Sequence, residues 1–238
     1  MKVSGFTFAR NAVRLRYPLA ESIRSALPLV DEMVVNVGRS DDGTLELVRG
    51  IGDPRIVLVE SVWDEASLVR GRVLAEQTDI ALEHCTGDTC LYLQADEVFH
   101  EEDHPRIRDA LARMHADPGV EGLAFRAGPG ARVFHYGWVR PPAQQTEKMA
   151  EFERLYQGDE ARRRRLSQGF SYDVEEKVRP FEGTHPAPMA ARVAAEDWVF
   201  EPRGRRIRPG HLREDLLDLF EAGTGIRIAE YRNFEIVR

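Results

Sequence analysis

The sequence predicts an α/β fold, a mostly parallel sheet flanked by helices and followed by a helical C-terminal extension. Three observations carry this. Strand-like and helix-like runs alternate from residue 2 to 126, the order that produces parallel strands joined by crossover helices. The chain has 238 residues, 42% hydrophobic and 31% charged, enough to bury a sizeable core in one large domain or a domain with an appendage. After "VRPP" the pattern turns helical. The expected division is residues 1–140 as the sheet-containing domain and 141–238 as the extension packed on it.

Each element follows from its own signal. "KVSGFTF" is an apolar run fit for a first strand, and Pro18 opens a helix that gathers Leu19, Ile23, Ala26 and Leu27 on one face. "EMVVNV" predicts the second strand, "SDDGTLELVRGI" a turn entering a short helix, and "RIVLVES" the third strand. A helix over 71–84 carries Val73, Leu74, Ala81 and Leu82 among its apolar positions, and "CLYLQ" is the fourth strand. "EDHPRIRDALARM" predicts a helix with Asp103 as N-cap and Pro105 in its first turn. Two strand-like runs around "AGPG" in "VEGLAFRAGPGARVFHYGW" form, at face value, a hairpin. Further on, "AQQTEKMAEFERLYQ" places Met149, Phe152, Leu155 and Tyr156 on one helical side, and "HLREDLLDLFEAGTG" spaces Leu212, Leu216, Leu219 and Phe220 as an amphipathic helix ended by glycines.

Composition excludes some functions. A formal net charge of −7 argues against general nucleic-acid binding. The N-terminus lacks the charged head, apolar run and cleavage site of a secretory signal, and no apolar run is long enough to span a bilayer. Cys85 and Cys90 are expected to stay reduced, which points to the cytoplasm. The amphipathic C-terminal helices can pack on the domain or on a second copy, so the sequence leaves the oligomeric state open.

The chemistry gathers at "LYLQADEVFH". Asp96 and Glu97 come just past the carboxyl end of the fourth strand, the edge where open α/β sheets bind ligands. Adjacent acids there must be solvated, paired or bound to a cation, because a buried unpaired carboxylate is costly. Carboxylate oxygens suit a hard divalent ion, and an imidazole can complete the site when the metal is manganese. His135 in "RVFHYGW", ending a second strand-like run, is the histidine placed to do so.

The succession "SGFTFARNA", "NVGRSDDGTLELV", "RGRVLAEQTDIALEHCTGD", "LYLQADE" and "HYGWVRPP", with the distal "FEGTHPAPM" and "EDWVF", resembles bacterial family 2 glycosyltransferases across most of the chain. The resemblance implies a GT-A-like, Rossmann-type domain that binds a nucleotide-diphosphate sugar with Mn²⁺ or Mg²⁺. It further implies transfer of the sugar to a hydroxyl acceptor with inversion at the anomeric carbon. In that family an Asp-x-Asp motif follows the fourth strand. Here "QADE" stands in its place, so Asp96 matches the metal-binding acid, Gln94 replaces the ribose-binding one, and His135 matches the late histidine of the metal shell. For the donor, Asn36 stands where an aspartate recognises the base, and Asn11, Asp41 and Arg72 are further candidates. Asn11 can equally hold a turn, Asp42 cap a helix, and Arg72 face solvent.

The family's acidic general base has no counterpart, since no acid lies between Glu121 and His135, and Asp96 and His135 stand only 39 positions apart (135 − 96). An inverting transfer needs a base to take the acceptor's proton. Glu97 is the nearest acid able to substitute. The alternative is a non-catalytic nucleotide-sugar-binding or interaction protein that has lost the acceptor segment. A nucleotidyltransferase, which also places acids and a metal at a strand edge, is a further reading. The arginines at 162–165, His185 in "THP" and the glycines of "GPG" read as a solvated face, loop chemistry and a turn without phosphate-loop context.

Overall fold

The computed structural model describes residues 1–64, 67, 70–123, 133–172, 181, 183–198 and 220. The chain divides into two units, Met1–Ser171 with Gly183–Trp198, and Tyr172–Glu182 with Val199–Arg238. Most of the second unit, including the amphipathic run from Leu212 to Leu219, lies outside the described residues.

In the first unit, β1 (Val3–Ala9), β2 (Glu32–Gly38), β3 (Ile56–Ser61) and β4 (Thr89–Tyr92) form one sheet in the order β3-β2-β1-β4. All three pairings are parallel, with Phe6 opposite both Val34 and Tyr92. The crossovers are α1 (Leu19–Ala26), α2 (Thr44–Arg49) and α3 (Arg72–Glu83). The helices cover both faces. Because side chains alternate along a strand, Val3, Met33, Val35, Val37 and Leu91 point into one core with Leu19 and Ile23 of α1 and Val48 of α2. Phe6 and Val34 point the other way, onto Ala81 of α3. Covering both faces explains why β2 reads as a nearly unbroken apolar run instead of an alternating one.

Past β4 the described residues show one pairing that the sequence pattern does not include. The run Val133–His135 is a strand, β6, and its partner is β5 (Glu97–Phe99), immediately after the "QAD" turn. They pair antiparallel, with Glu97 opposite His135 and Val98 opposite Phe134. Residues 124–132, with most of the "GLAF" run and "AGPG", lie outside the described residues. Three residues are too few to show a period, so β5 has no separate signature in the sequence.

Between these strands runs α4 (His104–Ala116), which starts where the sequence places it although Asp103 makes no side-chain cap bond. Then come α5 (Pro142–Gln157), α6 (Asp159–Gln168) and α7 (Ala190–Ala195). The arginine run belongs to α6, a helix polar all round that is held to α5 by Arg162 to Glu151 at 2.5 Å and Arg165 Nε to Glu153 at 2.7 Å. In α5 the apolar positions split: Leu155 packs near Trp63 and Val73, while Phe152 and Tyr156 remain exposed, their rings in tilted contact with each other. No helix among the described residues is long and apolar enough to cross a membrane.

Candidate functional site

In the order β3-β2-β1-β4 the direction of winding reverses between β1 and β4, and the crevice beyond their carboxyl ends is the place such a sheet offers a ligand. Two loops meet there, the one after β1 and the "QADE" turn after β4.

The first loop is built mainly by short hydrogen bonds from its neighbour after β2. Ser40 Oγ accepts the Asn11 N–H at 3.0 Å, Thr44 Oγ1 accepts that of Ala12 at 2.8 Å, and Asp42 accepts that of Arg14 at 2.8 Å. Asn11 itself takes φ +53, a left-handed conformation that asparagine tolerates better than most residues. Asp42 also accepts both the N–H and the hydroxyl of Thr44. Burial works to raise its pKa, but the bonds from Arg14 and Thr44 outweigh it and hold the carboxyl below its ordinary value. Asp41 is exposed and pairs with Arg14 at 3.1 Å.

The second loop is a tight turn closed by its own ends. The Glu97 N–H donates to the Gln94 carbonyl at 3.0 Å, and the Glu97 carboxylate accepts the Gln94 N–H at 2.9 Å. Gln94 leaves its side chain exposed, and its carbonyl also accepts from Ser22 of α1. This turn drives Asp96 inward to 6% exposure. The Tyr136 N–H donates to the Asp96 carbonyl at 2.8 Å, continuing the β5–β6 ribbon and bringing His135 alongside.

Asp96 and His135 thus come together, with His135 Nε2 3.5 Å from Asp96 Oδ1. A third residue, missed in the sequence, joins them. Lys148, on the second turn of α5, donates to Asp96 Oδ2 at 2.9 Å and to the Gly137 carbonyl at 2.8 Å, and its ammonium lies 5.1 Å from the Tyr17 ring centre. Arg140, buried at 1% exposure, lies 5.4 Å from the same ring and donates to the carbonyls of Leu15 and Tyr136. Burial pulls the Lys148 pKa down while Asp96 pushes it back up, and burial with the nearby Asp96 charge pushes the Tyr17 phenol up.

Gly137 makes this convergence possible. A Cβ there would collide with the His135 ring and lie 2.9 Å from both Asp96 Oδ2 and Lys148 Nζ. The neighbouring Tyr136 hydroxyl meets His185 Nδ1 at 2.9 Å, and His100 Nε2 meets the Thr184 hydroxyl at 2.9 Å, so "GTHP" braces the ribbon behind the site.

Other candidates stand apart. Asn36 is fully buried, donating to the backbone and side-chain oxygens of Gln77 in α3, so it clamps sheet to helix and presents no surface to a ligand. Arg72 is exposed and pairs with Glu76 one turn on at 2.8 Å. A groove of about 630 Å³ beside β4 and α4, lined by Leu91, Leu111, Met114 and Val120, contains none of these residues.

The donor set bears directly on a metal. Among the described residues no group of three His, Cys, Asp or Glu side chains converges. A dication on Asp96 Oδ2 at about 2.1 Å would stand within about 5 Å of the ammonium already bonded to that oxygen. Their repulsion is roughly 7 kcal/mol at an effective dielectric near 20. With Lys148 in place, Asp96 Oδ2 is already bonded to an ammonium, and Asp96 Oδ1 and His135 Nε2 are the two atoms left to face a metal ion.

No protein-family model and no curated protein matches the chain. Among solved structures it is similar to S. aureus TarS, at TM-score 0.39 and 19% identity over 53% of this chain and 23% of that one. It is also similar to TarS 1–349, at 0.38 and 19% over 53% and 38%, and to TarS 1–349 in complex with UDP, at 0.38 and 20% over 49% and 32%. The chain therefore spans well under half of each TarS chain. At such scores the likeness carries no functional argument, and the α/β assignment stands on the strand order and pairing.

Proposed function

We propose that the protein binds a nucleotide-diphosphate sugar at the carboxyl edge of its sheet and, as a glycosyltransferase of the GT-A type, passes the sugar to a hydroxyl acceptor. One observation carries this reading. At the β1/β4 switch point the buried Asp96 carboxylate, the Lys148 ammonium and the half-exposed His135 ring meet over the Gly137 backbone, with the buried Arg140 guanidinium near the same Tyr17 ring as Lys148, an arrangement suited to an anionic ligand. The resemblance to family 2 glycosyltransferases supplies the chemistry. The acceptor oxygen forms a bond to the anomeric carbon, the bond from that carbon to the diphosphate breaks, and the nucleoside diphosphate leaves with the electron pair while a base takes the acceptor proton.

The base is the weak point, and it favours a second reading. Glu97 spends one carboxylate oxygen on the Gln94 N–H of its own turn, and no acid stands between Glu121 and His135 in the sequence. A protein that binds the donor without turning it over fits this arrangement as well.

One experiment separates them. The full chain is incubated with a panel of nucleotide sugars, and both binding and nucleoside diphosphate release are followed. Release that falls at least roughly tenfold in Asp96→Asn supports the transferase. Binding without release supports the binding protein. No binding by any nucleotide sugar refutes both.

A further inference from the structure

We infer that the cation facing the donor diphosphate in this protein is the Lys148 ammonium, and that donor binding needs no divalent metal. This rests on the donor-binding reading above. The ammonium is bonded to the same carboxylate that a metal would use, at Asp96 Oδ2, and is held by that oxygen and the Gly137 carbonyl, with the Tyr17 ring centre 5.1 Å away. Such placement is unusual for lysine, whose strongly hydrated head normally reaches water. Here the side chain is only 12% exposed.

The charge balance points the same way. Lys148 and Arg140 both face the Tyr17 ring, so two cationic heads stand close to the single Asp96 carboxylate. Two of the three ammonium N–H bonds go to Asp96 and Gly137, so a phosphate oxygen would accept the third. When the carbon–oxygen bond to the diphosphate breaks, negative charge grows on the departing oxygen. A fixed ammonium stabilises it in place and needs no reorganisation.

The test is calorimetric titration of the full chain with ADP, GDP, CDP, UDP, TDP and inorganic pyrophosphate, in EDTA and again in Mn²⁺. The expected result is a nucleoside diphosphate whose affinity agrees between the two buffers within roughly twofold. Lys148→Met should weaken it in EDTA by about tenfold or more, the scale of one charged hydrogen bond, and Lys148→Arg should retain most of it. Binding that appears only with Mn²⁺ overturns the inference and leaves the donor reading standing. Parent-like binding by a Lys148→Met protein with an unchanged circular dichroism spectrum and melting curve also overturns it, reducing the lysine to a structural ion pair. If that variant does not fold, the EDTA and Mn²⁺ comparison on the parent decides alone. Absence of binding in both buffers refutes the donor reading, and this inference with it.

Discussion

At Gly137 a methyl group would strike the His135 ring and crowd the Asp96–Lys148 pair, so the residue is required for close approach and not for its backbone angle. Gly137→Ala should lower stability by about 1–3 kcal/mol, the usual cost of forcing a methyl into filled space, and weaken nucleoside diphosphate binding at the same time. Urea unfolding and calorimetry on one preparation would show both effects, and a stable variant with unchanged affinity would refute the placement. Single residues also show where pattern reading stops. Asp96 was legible because two acids follow an apolar run, a local signal of cost. Lys148 was not, because a lysine inside an amphipathic helix looks the same whether its head reaches water or a buried carboxylate. Asn36 shows the converse, a polar residue in a strand that resembles a ligand contact and instead donates both its bonds to Gln77.

At the scale of elements, the sheet is pinned at its amino edge by Glu32, far along β2 from the site. Its carboxylate accepts from Lys2 at 2.9 Å, from Ser4 at 2.5 Å and from the Thr86 backbone at 2.7 Å, so one side chain ties β1, β2 and the approach to β4. Burial acts to raise its pKa, but these bonds prevail and lower it to about 2. A depressed folded value means that the stabilisation is complete above the ordinary glutamate range and is lost as pH falls toward 2. Glu32→Gln should therefore cost on the order of 1–3 kcal/mol at neutral pH, with the gap to the parent narrowing as pH drops below about 4 in denaturant titrations. A gap independent of pH would refute the carboxylate's role. The adjoining thiols are free, and Cys85 is pushed up to about 12 by burial and by Cys90 beside it, which keeps it protonated and unreactive near neutrality.

For the whole molecule the question is what α5 does. The expected division at residue 140 puts α5 in an extension packed on the sheet domain; Lys148 of α5 bonds Asp96, and the carbonyls of Tyr156 and Leu155 accept the N–H groups of Arg70 and Gly71 ahead of α3. A chain ending at residue 140 would leave Asp96 buried beside an imidazole alone, and breaking a buried pair in this way typically costs about 3–5 kcal/mol. That is a large share of a domain's stability, so the truncated chain should melt without cooperativity or fail to accumulate, while one extended through residue 198 should unfold in a single transition. Circular dichroism on the two purified chains checks this, and a cooperative 1–140 would show that α5 is dispensable. By itself the sequence determined the parallel sheet, its crossovers and the edge that carries Asp96, because these depend on local periodicity and short connections. The pairing of β5 with β6, the approach over Gly137 and the arrival of Lys148 52 positions after Asp96 (148 − 96) were decided only by tertiary structure. A buried charge selects its partner by position in space, and no local pattern in the chain encodes that distance.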